Sequence, residues 1–323
     1  MGTQDSEFNT EELASVTRNE MIQHGLISHD EQIALQPHHW ITMRGKQRSH
    51  YIVSCLGSGK RFFLKVKKGN DAASHCNAFL QRFQAADGSC GYPLLASPEF
   101  SFYDNVYNIY TFAEGETLEH LLERYPTQVC GMLADKLSFR LGELHSVHAP
   151  QCSDQNRFVS EGCADILKKK ILPRLKHPIF SDIPPATIAA VYHRCAEILD
   201  GASFSPPTLL HMDIKPANII YEEQTQTLSL IDFELARFGD SDYGWTQILL
   251  TELKPYGDTY KKYFLPALIR NGLALEDALQ LPKFQCYAFY QSACNLIYYY
   301  EHKEPYPEEL RLLFFKLLTQ LSK

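Results

Sequence analysis

The stretch Thr208–Asp240, TLLHMDIKPANIIYEEQTQTLSLIDFELARFGD, restricts the possible folds of this chain more than any other. Two short apolar runs, Ile219–Tyr221 and Leu228–Ile231, flank the polar turn EEQTQT, which is the pattern of a β-hairpin. Centring that hairpin on Thr225 places Asn218 opposite Asp232 at its open end. An amide oxygen and a carboxylate at adjacent strand ends form a hard-oxygen pair suited to Mg2+. Asp213, in the loop leading into the first strand, brings a third oxygen group to the same corner. Its setting is apolar (Leu209, Leu210, Ile219, Ile220, Leu230, Ile231), so the polar groups sit on a rigid scaffold. Alone, Asp213 or Asn218 reads as a cap on backbone groups. The three together read as a site.

The rest of the chain changes character once. Residues 9–26 carry a helix signature, with Thr10 as a cap, Glu11 and Glu12 at the positive end of the dipole and Gly25 as the stop. The segments Trp40–Met43, Tyr51–Leu56 and Arg61–Val66 are rich in aromatic and β-branched residues and predict an antiparallel meander. Phe100–Tyr103 and Val106–Phe112, joined at Asp104-Asn105, complete five strands. Between the two groups, Asp71–Phe83 has the spacing of one helix. From Thr117 onward the pattern is helical: Thr117–Tyr125, Thr127–His148, Glu161–Leu175 and Pro185–Leu199, then a tail from Trp245 broken at Pro255, Gly272 and Pro305. The expected fold class is α+β: a small β-rich amino-terminal lobe with one main helix (1–113) and a larger, mostly helical carboxy-terminal lobe (114–323). At 323 residues the length accommodates two such parts.

Charge narrows the partners. Lys and Arg number 31 against 38 Asp and Glu, a net charge of −7, so no chain-wide basic surface is available for nucleic acid. Residues 1–115 hold 10 basic and 12 acidic side chains, leaving 21 and 26 for the remainder, hence −2 and −5. The helical part is the better host for a cationic small molecule. The nine cysteines show no paired spacing and read as reduced thiols. An acidic amino terminus and the lack of any long apolar window point to the cytoplasm, with no membrane partner.

His211-Met-Asp213-Ile-Lys215-Pro-Ala-Asn218, followed by Ile231-Asp232-Phe233-Glu234, resembles the catalytic loop and metal-binding motif of the protein-kinase-like fold. Met212 in place of the usual Arg, a DFE-type motif and the lack of an APE motif make it similar to the aminoglycoside phosphotransferase/choline kinase branch, with some thiamine kinase-like features. Lys215 is more typical of protein kinases. The resemblance spans about Trp40 to Asp240. It implies ATP and Mg2+ as cofactors, Asp213 as the residue that orients or deprotonates an acceptor hydroxyl, Lys215 beside it in the catalytic set, and Asn218 and Asp232 as metal ligands. It further implies that Lys65, in RFFLKV, meets the nucleotide's α- and β-phosphates, and that the loop Arg44–His50 covers the phosphates. The backbone of Thr111 and Ala113, in the hinge segment Tyr110–Leu118, pairs with the adenine edge by the same implication. LGELHSVH, ending the long helix, matches the family's Leu-His segment.

Two departures stand out. Family members usually place a Glu on the helix after the lysine strand, but Asp71–Phe83 has none, and Asn77 and Gln81 are nearest in position. Gly244 occupies a position where another Asp is common. Several other features are false leads. Gly57-Ser-Gly-Lys60 lacks the full phosphate-loop spacing and reads as a hairpin turn. His145 and His148 lack a third zinc ligand, and His38-His39 lacks a partner signal in the sequence too. The aromatic run with Tyr287, Phe289, Tyr290 and Tyr298–Tyr300 is either core or a cation pocket. The expectation is therefore an ATP- and Mg2+-dependent small-molecule kinase, phosphorylating a hydroxyl of a small cationic acceptor such as an aminoglycoside or amino alcohol. A nucleotide-binding pseudokinase or scaffold, motivated by the missing Glu, and a protein kinase, motivated by Lys215-Pro216, are the alternatives.

Overall fold

The structure is a computed structural model that describes residues 10–41, 47–67, 100–103, 105–124, 126–148, 163–204, 206–251, 265–271 and 280–323. Its contacts divide the chain into two units, Met1–Glu114 and Gly115–Lys323. The expected helix Asp71–Phe83 and residues 44–46 of the expected loop Arg44–His50 lie outside the described residues, while residues 47–50 of that loop are strand, paired with the preceding strand.

In the first unit a helix, α1 (Thr10–Gln23), buries Leu13, Thr17 and Met21 at a spacing of four. It packs with a five-stranded antiparallel sheet: β1 (Ile33–Ile41), β2 (Gln47–Cys55), β3 (Arg61–Lys67), β4 (Phe100–Phe102) and β5 (Asn105–Thr111), in the order β1-β2-β3-β5-β4. The core is made by alternate residues: Tyr51, Val53 and Cys55 on β2, Phe62 and Leu64 on β3, and Tyr107 and Ile109 on β5. The first strand begins at Ile33, earlier than the expected Trp40, and pairs along its whole length with β2, Ile33 opposite Cys55. Pro37 and the adjacent histidines obscure this strand in the sequence. An edge position tolerates the proline because half of the edge strand's N–H groups have no ladder partner. The β4–β5 connection also starts earlier than expected, since Phe102 already pairs with Asn105.

The second unit opens with a two-residue strand, β6 (Glu116–Thr117), followed by α2 (Leu118–Arg124) and α3 (Pro126–His145). Thr117 is in β6 and not in a helix, because it pairs with Ile220. This contact needs Gly115: its φ is +116°, and a Cβ there would lie 2.2 Å from the Tyr221 carbonyl oxygen. The long helix stops at His145 and not at His148, which bridges to Thr208, while Val147 O accepts from Leu209 N at 2.9 Å. Next come α4 (Cys163–Leu175) and α5 (Pro185–Gly201), then β7 (Thr208–Leu210), β8 (Ile219–Glu222), β9 (Thr227–Leu230) and β10 (Arg237–Gly239). The unit closes with α6 (Ser241–Thr251), α7 (Leu265–Arg270), α8 (Pro282–His302) and α9 (Glu308–Leu321).

Strands β6, β8 and β9 form one small sheet, and β7 and β10 form another. Helices α5 and α8 have proline in the first turn, where its missing N–H has no intrahelical partner in any case. The helical core joins Val191, Cys195 and Leu199 of α5, Tyr287, Phe289 and Ala293 of α8, and Leu310, Phe314 and Leu317 of α9. Phe314 stacks on both Phe180 and Phe289, with ring centroids 4.7 and 5.1 Å away. Tyr287 and Phe289 are fully buried, so this part of the aromatic run is core. Among the described residues no helix is long and apolar enough to cross a membrane.

Candidate active site

The hairpin forms, but one residue out of the expected register. Ile219 pairs with Leu230 and Glu222 with Thr227, closing a four-residue turn in which Gln226 has φ +58°. An even turn moves the centre off Thr225. Asn218 therefore lies opposite Ile231, whose N–H donates to Asn218 O at 3.0 Å. Asp232 sits one place further on and adopts a left-handed backbone (φ +67°, ψ +61°), ending the strand and leading into the 3-10 turn Phe233–Leu235. That turn breaks the strand alternation which would have set Asp232 and Asn218 on opposite faces.

The loop after β7 is tied to the same strand end by His211. Its Nε2 lies 2.8 Å from Ile231 O, its Nδ1 accepts from the Asp213 N–H at 3.3 Å, and its ring leans on Phe233 with centroids 4.3 Å apart. Burial drives the His211 pKa down, opposed by the nearby carboxylates of Asp213 and Asp232. A neutral ring with the proton on Nε2 satisfies both hydrogen bonds. Met212 has φ +67°, and its carbonyl accepts from Gln247 Nε2 of α6. Asp213 is thus delivered by a strained residue clamped on one side by α6 and on the other by an imidazole.

Asp213 Oδ2 accepts from Lys215 Nζ at 2.8 Å and from Asn218 Nδ2 at 2.9 Å, and the same Nδ2 also donates to Asp213 O at 2.9 Å. Asn218 is fully buried. Both of its amide hydrogens are spent on Asp213, so its Oδ1 is left without a hydrogen-bond partner. A buried carbonyl oxygen in that state is unfavourable unless something electropositive meets it. Together with the carboxylate of Asp232, which follows the Ile231 that bonds Asn218 O, the donor set is hard oxygen and fits Mg2+. Asp213, Lys215 and Asn218 are brought into direct contact, and Asp232 joins them through the His211–Ile231 link.

Three supporting groups had little or no sequence signal. Asp240, almost fully buried, accepts from Tyr287 Oη at 2.7 Å and pairs with Lys283 Nζ at 3.0 Å; Lys283 also pairs with Asp242 at 2.5 Å. Burial opposes the charge on Lys283, yet the Asp242 and Asp240 carboxylates raise its pKa. The third group is Gln247. Lys283 and Gln247 stand in unremarkable helical sequence. Gly244 is closely packed here: a Cβ would lie 3.2 Å from Leu210 Cδ2 and 3.6 Å from His145 Nε2. His145 is buried, with its pKa lowered to about 4 by desolvation, and no group of three or more His, Cys, Asp or Glu among the described residues is arranged to hold a metal.

The remaining candidates belong to the first unit. Lys65 is half-buried on β3, opposite Asn108 of β5. Thr111 ends β5, and Ala113 follows it in extended chain. The Gly57–Lys60 segment is a hairpin turn, as expected. The amides of Gly57 and Ser58 donate to the Glu31 carboxylate at 2.5 and 3.0 Å, so a phosphate has no claim on them.

A β-sheet unit followed by a helical unit with this loop and hairpin defines a protein-kinase-like phosphotransferase fold. A family model described as APH, the phosphotransferase enzyme family, matches residues 45–251, and the chain belongs to that family. Its fold is similar to the crystal structure of aminoglycoside phosphotransferase APH(4)-Ia, at 14% identity and a TM-score of 0.64, covering 95% of this chain and 98% of that one. It is similar also to the gentamicin complex of APH(2")-IIa (17%, 0.53, covering 99% and 97%) and to ADP-bound APH(2'')-Ib (18%, 0.53, covering 96% and 97%). No curated protein sequence matches the chain significantly.

Proposed function

We propose that the chain is an ATP- and Mg2+-dependent kinase acting on a hydroxyl of a small molecule. The observation that carries this reading is the state of Asp213: Lys215 and Asn218 both bond Oδ2, which fixes the carboxylate and leaves Oδ1 for an acceptor hydroxyl. In the reaction the acceptor oxygen forms a bond to the γ-phosphorus and the bond to the β-γ bridging oxygen breaks. The hydroxyl proton passes to Asp213, and ADP leaves. Lys215 moderates the charge on Asp213 and keeps it oriented. Asn218 Oδ1 and Asp232 would hold Mg2+, which when bound neutralises charge on the phosphate oxygens. Lys65 serves the α- and β-phosphates, and the backbone of Thr111 and Ala113 the adenine edge. Most of the rate enhancement comes from positioning and charge neutralisation.

An ADP-release screen with ATP and Mg2+ across aminoglycosides, choline-like amines, thiamine, sugars and hydroxy acids tests this reading. Turnover with a small alcohol is expected. Labelled phosphate entering protein substrates and no small acceptor would overturn it.

A further inference from the structure

Beside the loop that carries Asp213, the second unit brings two arginines to one cluster of tyrosines. Arg237 of β10 is half-buried, its guanidinium 5.2 Å from the centroid of the Tyr243 ring. Tyr243 packs on Tyr287 and Tyr290, with centroids 5.3 and 6.4 Å away, and Arg174 of α4 reaches the Tyr290 hydroxyl. Arg174 and Arg237, with Lys170, all lie within electrostatic reach of the half-buried Cys294 thiol. The nearby carboxylates are engaged elsewhere: Asp240 and Asp242 with Lys283 at 3.0 and 2.5 Å, Glu301 with His177 at 3.6 Å, and Asp200 with Lys168 at 2.5 Å. Glu301 also acts electrostatically on Arg174. Among the described residues neither Arg174 nor Arg237 forms an ion pair with a carboxylate.

Two guanidiniums on one aromatic wall suit an oxyanion, because the planar fork matches carboxylate and phosphate geometry. The array is also close to the chemistry. Arg237 pairs with Leu210, three residues before Asp213 in the chain. We infer that Arg174 and Arg237 hold an anionic group of the acceptor, a carboxylate or a phosphate, while its hydroxyl is presented to Asp213. This rests on the reading of Asp213 as the acceptor-facing carboxylate. It replaces the expectation of a cationic acceptor, which followed from a charge of −5 averaged over the whole unit. Groups beyond a Debye length of about 8 Å contribute little to a bound ion, so the local array decides.

The test compares glycerol, glycerate, glycerol 3-phosphate and 2-amino-1,3-propanediol as acceptors in the ADP-release assay, for wild type, R174Q, R237Q and the charge-keeping R237K. Calorimetric titration with glycerate and with inorganic phosphate runs alongside, including D213N. An anionic acceptor should exceed glycerol and the amine at least about tenfold in kcat/KM, glycerate marking a carboxylate and glycerol 3-phosphate a phosphate. R174Q and R237Q should remove that preference through KM with kcat within about twofold, and R237K should retain part of it. Anion binding should survive D213N and weaken about tenfold in R237Q. Arginine-dependent anion binding without any turnover would keep the array and remove the kinase reading. Preference for the neutral or cationic acceptor, anion binding unchanged in both glutamine variants, or no anion binding to wild type would overturn the inference.

Discussion

Asn218 and Asn108 are both fully buried asparagines in which a polar atom lacks a hydrogen bond, yet their surroundings assign them opposite meanings. Asn218 spends its amide hydrogens on Asp213 and leaves Oδ1 without a hydrogen bond, where the proposed function puts a cation. Asn108, between Tyr107 and Ile109 on the central part of the sheet, leaves both Nδ2 and Oδ1 unmet. Replacing such an amide with an apolar group of similar size removes a desolvation penalty of about 1–3 kcal/mol. Asn108→Leu is therefore expected to raise the urea midpoint of unfolding, and a lower midpoint would show that the amide has a partner in solution. The pH dependence of stability also follows from single residues. The neutral forms of His145 and His211 are preferred in the folded chain because both are buried, with His145 lowered to about 4. The folded state thus binds fewer protons than the unfolded one below an ordinary histidine pKa of about 6.5. Stability is full above that value and is lost as pH falls towards 4, by up to about 3 kcal/mol for His145. Urea midpoints measured from pH 7 to pH 4 should fall accordingly, with a shallower slope in His145→Gln; parallel slopes would contradict this.

The elements show why part of the site was legible in the sequence and part was not. The hairpin was visible because its apolar runs and polar turn are local, and Asp213, Asn218 and Asp232 were visible because they lie within one short stretch. Its register was not, since a turn of odd or even length is decided by backbone conformation, here with a positive φ at Gln226, a residue type that does not announce one. Strand β1 was partly hidden by Pro37, whose tolerance depends on the edge position that only the assembled sheet reveals. Lys283 was invisible because its partners Asp240 and Asp242 lie some forty residues away in sequence. That network gives a graded prediction for the joint between α6 and α8. Lys283→Met leaves the buried Asp240 carboxylate without its cation and is expected to lose about 3–5 kcal/mol. Tyr287→Phe removes one donor from that carboxylate and is expected to lose about 1–3 kcal/mol. Chemical denaturation of both variants orders them, and equal or reversed losses would show that Tyr287, not Lys283, holds Asp240.

For the whole molecule, the change from β-rich to helical sequence was readable because the periodicity switches from two to three-and-four, and the units divide after Glu114. Net charge was less informative: the unit with the larger acidic excess holds Arg174 and Arg237, which among the described residues form no ion pair with a carboxylate. The roles assigned to the units, nucleotide binding for the first and catalysis with acceptor binding for the second, rest on one chemical claim, that Asp213 activates the acceptor hydroxyl. The most direct measurement is phosphoryl transfer from [γ-32P]ATP to an accepted substrate by wild type and Asp213→Asn, with ATP affinity titrated in parallel. Asn is nearly isosteric and can still meet Lys215 or Asn218 through its oxygen, so nucleotide affinity should stay within about twofold while transfer falls by about 10²–10⁴. Transfer at the wild-type rate by Asp213→Asn, with the nucleotide bound normally, would contradict the claim.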